Sequence, residues 1–185
     1  RVADDPDALF ATRIAEGRAD LVLGCDIVVC SGADPLSKLS KDRTTAVVNT
    51  HVAPTSDFAS HPDLDFSPLR MQAAISASTE DAHFVDATRL ATALLGDALA
   101  ANLFLLGYAL QRGRLPVGLP ALQRAIELNA RSVAMNRRAL AWGRLAAHDL
   151  AAVEEAARPA LRASQAVAPA QTLDEIVERR SEFLV

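Results

Sequence analysis

Short apolar runs, bounded by polar and turn-forming residues, dominate the first third of the chain. Asp20–Gly24 and Asp26–Cys30 are rich in leucine, valine and isoleucine, and Thr44–Thr50 reads TTAVVNT. Such runs are typical of strands that are covered on both faces. About thirteen residues separate the second run from the third, which is enough for a parallel crossover. With a further short strand at His83–Asp86, the pattern predicts a short, mostly parallel sheet.

The second half of the chain carries helical signals. We expect four helices, over Thr88–Arg112, 120–129, 131–147 and 151–164. Gly113 followed by Pro116 ends the first of them, and Pro120 stands at a first helical position. The predicted fold class is therefore α/β: a short, mostly parallel sheet with flanking helices and a helical C-terminal half.

The first of these helices, Thr88–Arg112, is apolar enough to be a membrane span, a cofactor-binding helix or a buried helix. Asp97 near its middle would cost about 2.5–3.5 kcal/mol in a bilayer, so we favour a helix buried in a larger protein. On a helical wheel, Gly96, Ala100 and Gly107 form a small-residue face that another backbone can approach closely. Asp97 and Asn102 are then isolated polar contacts, within the domain or to a partner, and we expect self-association through the helical face.

Charge and cysteine content narrow the function. The net charge of −4 argues against a general nucleic-acid binder. Cys25 and Cys30 form a C-x4-C pair without a second pair, which is not metal-site spacing. We expect two buried free thiols of a reducing cytoplasm. An iron–sulfur cluster usually takes four thiolates, so this chain alone cannot build one.

Candidate ligand residues lie where the predicted strands end, because ligands of parallel α/β sheets bind at the carboxyl ends of strands. The residues at these ends are Ser31 and Gly32; Asn49, Thr50 and His51; and Asp86, Ala87 and Thr88. The alternative interpretation is that they cap helices and turns, as Asp86 or Thr88 would do for the long helix. His51 is the strongest functional candidate among the four histidines, although an exposed loop histidine is the default.

Other motifs add little chemistry. The chain has no glycine-rich phosphate loop, no nucleophile elbow and no metal spacing among its histidines, so we assign neither catalytic residues nor metal ligands. Asn129 and Asn136 are seven residues apart and would share a face if one helix ran through both. They would then form a polar seam for packing or for a partner.

Several long stretches resemble one family of enzymes: GRADLVLGCDIVV, RTTAVVNTHVAPTSDF, FVDATRLATALLGD, NLFLLGYALQRGRLP and AIELNARSVAMNRRALAWGR. They are similar to indolepyruvate ferredoxin oxidoreductase, and more narrowly to its gamma-type domain, which the pyruvate and 2-ketoisovalerate ferredoxin oxidoreductases share. The resemblance covers about residues 1–150. It implies oxidative decarboxylation of an aryl pyruvate on thiamine diphosphate and Mg²⁺, capture of the acyl group by coenzyme A, and electron transfer through 4Fe–4S clusters to ferredoxin.

The resemblance also implies how the chain is organised. Residues 1–166 would be the gamma-type domain without the family's N-terminal glycine-rich strand–turn–helix, and residues 167–185 a linker and the first helix of the following region. Thr172 and Glu175 would cap that helix. The thiamine-binding domains and cluster cysteines would lie elsewhere in a longer protein, so this piece would hold no cofactor and be inactive alone.

The partners implied are the other domains of the same polypeptide, ferredoxin for the parent enzyme, and a homodimer as a further option, with no nucleic acid and no membrane. The expected role is that of a structural, interface-forming domain of a cytoplasmic enzyme. Two alternatives stay open: a stand-alone nucleotide- or CoA-binding module, and a helical interaction domain.

Overall fold

A three-stranded parallel sheet lies at the centre of the fold. The computed structural model describes residues 13–52 and 67–166, together with positions 7, 172, 173, 177 and 181. Within these residues the strands are β1 Leu21–Gly24, β2 Thr45–Asn49 and β3 Asp81–Val85, in the order β1-β2-β3. Both pairings are parallel. The predicted α/β class and the parallel sheet are confirmed.

Helices cover both faces of this sheet. They are α1 Ile27–Cys30, α2 Ala33–Ser37, α3 Pro68–Ser78, α4 Ala87–Leu95, α5 Ala101–Gln111, α6 Leu119–Asn129, α7 Val133–His148 and α8 Leu150–Ala166. A 3-10 turn, Ala98–Ala100, joins α4 to α5. The helices α6, α7 and α8 fall where the sequence predicts them, to within two residues at each end.

The central strand β2 separates two hydrophobic cores. All five of its residues are buried, and successive side chains point to opposite faces of the sheet. Val47 faces a large core that includes Phe104 and Leu105 of α5, whereas Val48 faces a smaller one that includes Ile75 of α3. Burial on both faces explains why this strand reads as a continuous apolar run.

The apolar run Asp26–Cys30 is not a strand, so this prediction is wrong. The carboxylate of Asp26 accepts hydrogen bonds from the backbone N–H groups of Val28, at 2.8 Å, and Val29, at 3.3 Å. A capping aspartate satisfies two N–H groups that would otherwise lack partners, and thereby starts the helical turn α1. The first strand consequently ends at Gly24.

The predicted long helix Thr88–Arg112 is also wrong as a single element. Gly96 has a φ angle of 76° and ends α4, and Asp97 then caps the 3-10 turn by accepting from the N–H of Leu99 at 2.8 Å. A glycine in the left-handed region ends one helix, and the capping aspartate that follows it begins the next helical turn. Within the described part of the chain, no helix is long and apolar enough to cross a membrane.

The expectation of a close backbone approach holds for Gly107 but not for Gly96. A Cβ on Gly107 would stand 2.2 Å from the carbonyl oxygen of Leu140, and one on Gly143 would stand 1.8 Å from that of Phe104. Helices α5 and α7 therefore cross with their backbones in contact. A Cβ on Gly96 would meet no atom within 4 Å.

The predicted and observed elements differ at one further helix, and some predicted segments lie outside the described residues. Helix α3 has no counterpart among the predicted elements. The sequence also predicts a loop over residues 51–68, from its prolines and polar residues, and a linker over residues 167–171. Most of the loop, the whole linker and the capping residue Glu175 lie outside the described residues.

We expect Gly143→Ala to destabilise the fold by about 3 kcal/mol, because the methyl group would push α5 and α7 apart. The matched control is Gly96→Ala, which meets no neighbour and should cost only about 1 kcal/mol of left-handed strain. Urea unfolding of both variants measures the difference. Equal losses would contradict a steric role for the α5–α7 crossing.

Replacing two adjacent buried threonines, Thr44 and Thr45, by valine should change the free energy of unfolding in opposite directions. The Thr44 hydroxyl donates to the carbonyl of Ala19 at 2.6 Å and accepts from the N–H of Ser40 at 2.8 Å. The Thr45 hydroxyl has no partner among the described residues. Thr44→Val should lose about 2 kcal/mol of unfolding free energy and Thr45→Val should gain about 1 kcal/mol. Unfolding curves with the same sign for both variants would refute this assignment.

Candidate functional site

The side chain of Asn49 connects the carboxyl ends of all three strands. Its Nδ2 group donates to the carbonyl of Cys25 just beyond β1, at 3.2 Å, and to the hydroxyl of Thr88, at 2.8 Å. Its Oδ1 atom accepts from the backbone N–H groups of Ala87, at 3.0 Å, Thr88, at 3.4 Å, and His51, at 3.3 Å. Asn49 is 4% exposed, so these bonds form in a nearly dry environment.

Only an amide fits this position of Asn49. Three backbone N–H groups converge on one of its atoms, and a carbonyl and a hydroxyl lie beside the other, so the site needs an acceptor and a donor on one planar group. Asn49 is thus a structural residue first. The bonds to Ala87 and Thr88 also fix the first turn of α4, and the bond to His51 fixes the segment that leaves β2.

A cavity of about 430 Å³ opens beside Asn49 and its hydrogen-bond partners. The residues that line it come from the end of β2, from α4 and from α8: His51, Asp86, Thr88, Arg89, Thr92, Ala93, Ala160 and Leu161. We call it the strand-end cavity. Its volume lies in the range of small-molecule sites, about 300–1,000 Å³. Its position, outside the carboxyl ends of parallel strands, is where open α/β sheets bind ligands.

The charged groups of the strand-end cavity largely neutralise one another. Arg89 lies 3.2 Å from a carboxylate oxygen of Glu154 on α8 and 3.6 Å from one of Asp86. Asp86 also caps α4 by accepting from the N–H of Arg89 at 2.9 Å. The exposed imidazole of His51 makes no hydrogen bond within the described residues. The cavity therefore offers an imidazole, the hydroxyl of Thr88 and an apolar wall, but no unpaired cation.

The structure brings some of the predicted ligand residues together and separates others. Asn49 and His51 meet at this edge of the sheet, and Thr50 pairs with β3 through a 3.0 Å hydrogen bond from its N–H to the carbonyl of Val85. Ser31 and Gly32 do not end a strand. Ser31 donates to the carbonyl of Val28 at 3.0 Å, and Gly32 is the residue before the first turn of α2.

Asp97 and Asn102 lie outside the strand-end cavity. Asp97 caps the 3-10 turn, and Asn102 is exposed on the first turn of α5. Asp97 thus makes its polar contact within the domain, as a cap, whereas the contact predicted for Asn102 stays a prediction.

Sequence reasoning misses the part of the cavity wall that tertiary packing supplies. Arg89 and Thr92 could have been found, because they follow a strand end on the first turns of a helix. Ala160 and Leu161 carry no such signal, since they belong to α8 and reach the cavity only because α8 packs against α4.

Asn129 and Asn136 lie together although no helix runs through both of them. The chain breaks at Ala130, whose φ is 57°, and at Ser132, whose φ is 45°. Both asparagines nevertheless line one smaller cavity between α5, α6 and α7. A turn, rather than a continuous helix, brings the two asparagines to one cavity, and their role in packing or in binding a partner stays a prediction.

The two cysteines are free but not both buried. Cys30 is half-buried, whereas Cys25 is exposed, so the prediction of two buried thiols is wrong for Cys25. Burial, followed by the negative charge of Asp26, raises the pKa of Cys30 to about 11. Partial desolvation also raises the pKa of Cys25. Both groups are protonated thiols at neutral pH, which is a poor state for a nucleophile.

Alkylation at pH 8 should therefore distinguish the two thiols. Only about one Cys30 side chain in a thousand is a thiolate at that pH, and its sulfur is half-covered. We expect iodoacetamide to modify Cys25 at least about tenfold faster than Cys30 in the folded chain, as read by peptide mass spectrometry. The variant Cys25→Ser should retain only the slow reaction, and equal rates at the two positions would contradict this description.

The described residues offer no donor set that suits a metal ion, and the sequence has too few cysteines for a 4Fe–4S cluster. Across the described positions, no three histidine, cysteine, aspartate or glutamate side chains are grouped so that they could hold a metal ion. A 4Fe–4S cluster takes four thiolates, and the whole sequence contains two cysteines. We therefore derive no redox or metal-assisted step from the residues of this chain.

Together these features define a parallel α/β domain with a ligand-sized cavity at the carboxyl ends of its strands. A family model described as pyruvate ferredoxin/flavodoxin oxidoreductase matches residues 2–146. Because this match covers most of the chain, the protein belongs to that family of 2-oxoacid:ferredoxin oxidoreductases. No curated protein and no solved structure matches the chain. Membership of this oxidoreductase family is confirmed, and the narrower indolepyruvate assignment stays a prediction.

Proposed function

We propose that this chain is the gamma-type, interface-forming domain of an indolepyruvate ferredoxin oxidoreductase. In this proposal residues 1–166 form the domain, and residues 167–185 are a linker and the start of the following region. Thiamine diphosphate, Mg²⁺ and the 4Fe–4S clusters belong to other parts of the enzyme. Coenzyme A is a substrate, ferredoxin accepts the electrons, and the enzyme works in the cytoplasm.

The family match over residues 2–146 carries this proposal. It supports oxidative decarboxylation of a 2-oxoacid as the reaction of the parent enzyme. The choice of an aryl pyruvate rests on the long sequence stretches that resemble indolepyruvate ferredoxin oxidoreductase. These stretches include both the β2 segment and the α6–α7 segment, so the resemblance is spread over about residues 1–150.

Exposed apolar side chains support an interface role. Val29 on α1 is 62% exposed and Leu69 on α3 is 76% exposed, and these two helices pack against each other over the smaller core. Large apolar side chains that stay in water on neighbouring helices mark a surface that a partner can cover. We assign this surface, the α1–α3 face, to contact with the thiamine-binding part of the enzyme.

The substrate assignment is tested on the assembled enzyme. Coenzyme A-dependent reduction of ferredoxin is measured with indolepyruvate, pyruvate and 2-ketoisovalerate under the same conditions. We expect kcat/KM for indolepyruvate to exceed the other two at least about tenfold, equivalent to about 1.4 kcal/mol of transition-state stabilisation. A preference for pyruvate would overturn the indolepyruvate assignment and leave the family assignment intact.

The interface role is tested in the same enzyme with the double variant Val29→Asn, Leu69→Asn. It should weaken the contact with the thiamine-binding part and lower the rate with every 2-oxoacid alike. The control Leu99→Asn changes a side chain that is also 76% exposed but lies on the 3-10 turn. Full activity of the double variant would contradict the interface role of the α1–α3 face.

The strand-end cavity supports a second candidate, a stand-alone nucleotide- or CoA-binding module. Calorimetric titration of this chain with coenzyme A and with thiamine diphosphate separates the two functions. The interface role predicts no stoichiometric binding of either compound. Tight binding of coenzyme A that Ala160→Trp abolishes, by filling the cavity, would favour the second candidate instead.

A further inference from the structure

One wall of the strand-end cavity lies directly after a proline inside a helix. Helix α8 contains Pro159, and the residues of α8 that line the cavity are the next two, Ala160 and Leu161. Proline has no N–H group, so Pro159 cannot donate to the carbonyl of Glu155, and its ring crowds that carbonyl. Sharp bends in helices occur chiefly at such positions. Helix α8 is therefore most easily bent just before the cavity wall.

The half of α8 before Pro159 is firmly held. Val153 and Ala157 are completely buried in the large core. A carboxylate oxygen of Glu154 lies 3.2 Å from the guanidinium of Arg89 on α4. Any rotation of this half would expose core side chains and break the ion pair, so it is a fixed base for the rest of the helix.

The half of α8 after Pro159 is held by much less. Leu161 is part-buried and packs against the large core. The other side chains that the structure describes in this half are exposed: Ala160, Arg162 and Ala163. A movement of this half would thus withdraw one leucine from its packing and leave the buried residues of the first half in place.

We propose that residues 160–166 turn about Pro159 as a hinged wall of the strand-end cavity. The inward position is the one in this structure, with Leu161 against the core. In the outward position the wall moves away from α4 and the cavity widens. Hinges are usually a few residues that absorb a change of direction between rigid parts. A proline between a fixed half and a lightly held half of one helix meets this requirement.

The opposite side of the cavity does not move in the same way. The hydrogen bonds of Asn49 fix the backbone at His51, Ala87 and Thr88. The cavity thus has a rigid polar side and an adjustable apolar side, so the position of the wall sets the size of compound or side chain that enters. This inference goes beyond the proposed function and does not depend on which 2-oxoacid the parent enzyme uses.

Distances between pairs of spin labels test the hinge in the full chain, after Cys25 and Cys30 are replaced by serine. One label is placed at Ala77, an exposed residue of α3 on the other face of the sheet. The second label is placed at Arg162, beyond the hinge, or at Ala156, before it. Both positions are exposed. We expect two distinct distances for the pair 77–162 and one distance for the pair 77–156. Circular dichroism checks that each variant is folded.

Two further variants change the balance between the two positions. Pro159→Ala restores the N–H donor to the carbonyl of Glu155 and should leave only the inward distance. Leu161→Ala removes the contact that holds the wall inward and should raise the ratio of outward to inward molecules at least about fivefold. The matched control is Pro120→Ala in the first turn of α6, where no helical hydrogen bond is lost, and it should change neither distance.

Four results would each overturn the hinge. The first is a single 77–162 distance in the wild type, and the second is a broad distribution without two maxima, because the end of α8 would then fray rather than turn as a unit. The third is a pair of distances that Pro159→Ala leaves unchanged. The fourth is a ratio of the two positions that Leu161→Ala does not alter.

Discussion

One buried amide group holds together the edge of the sheet where this family of folds places its ligands. Asn49 makes five hydrogen bonds, to the end of β1, to the exit from β2 and to the start of α4. Each is worth about 1 kcal/mol net, but a partner left unsatisfied in this dry position costs about 1–3 kcal/mol. Polar groups that a ligand could have used are therefore committed to the fold. What remains for a ligand is the adjacent cavity with the imidazole of His51.

The walls of that cavity depend on packing further away. Helix α5 covers the sheet, and α7 lies against α5 with backbones in contact at Gly107 and Gly143. Helix α8 packs on both α4 and α7, which brings Ala160 and Leu161 to the strand ends. The cavity thus depends on the hydrogen bonds of Asn49 on one side and on the close crossing of α5 and α7 on the other. Both are structural requirements of the domain, whether or not a ligand binds.

Sequence patterns predict the parallel sheet and the last three helices because apolar runs and helical spacing report burial directly. They fail where a capping side chain competes with periodicity. Asp26 converts a β-branched run into a helical turn, and the pair Gly96 and Asp97 interrupts an apolar stretch that otherwise reads as one helix. The predicted strand-end position of Asn49 is right, but its role as a connector depends on partners up to 39 residues away. The contribution of α8 to the cavity depends on tertiary packing alone.

Membership of the 2-oxoacid:ferredoxin oxidoreductase family gives this architecture a context, and the account of the site rests on Asn49. The most direct test is hydrogen–deuterium exchange on Asn49→Asp. An aspartate can still accept from the N–H groups of Ala87 and Thr88, but it cannot donate to the carbonyl of Cys25. Exchange should accelerate around residues 21–28 and stay slow at the start of α4. Unchanged protection at the end of β1, or equal loosening of both segments, would contradict the account.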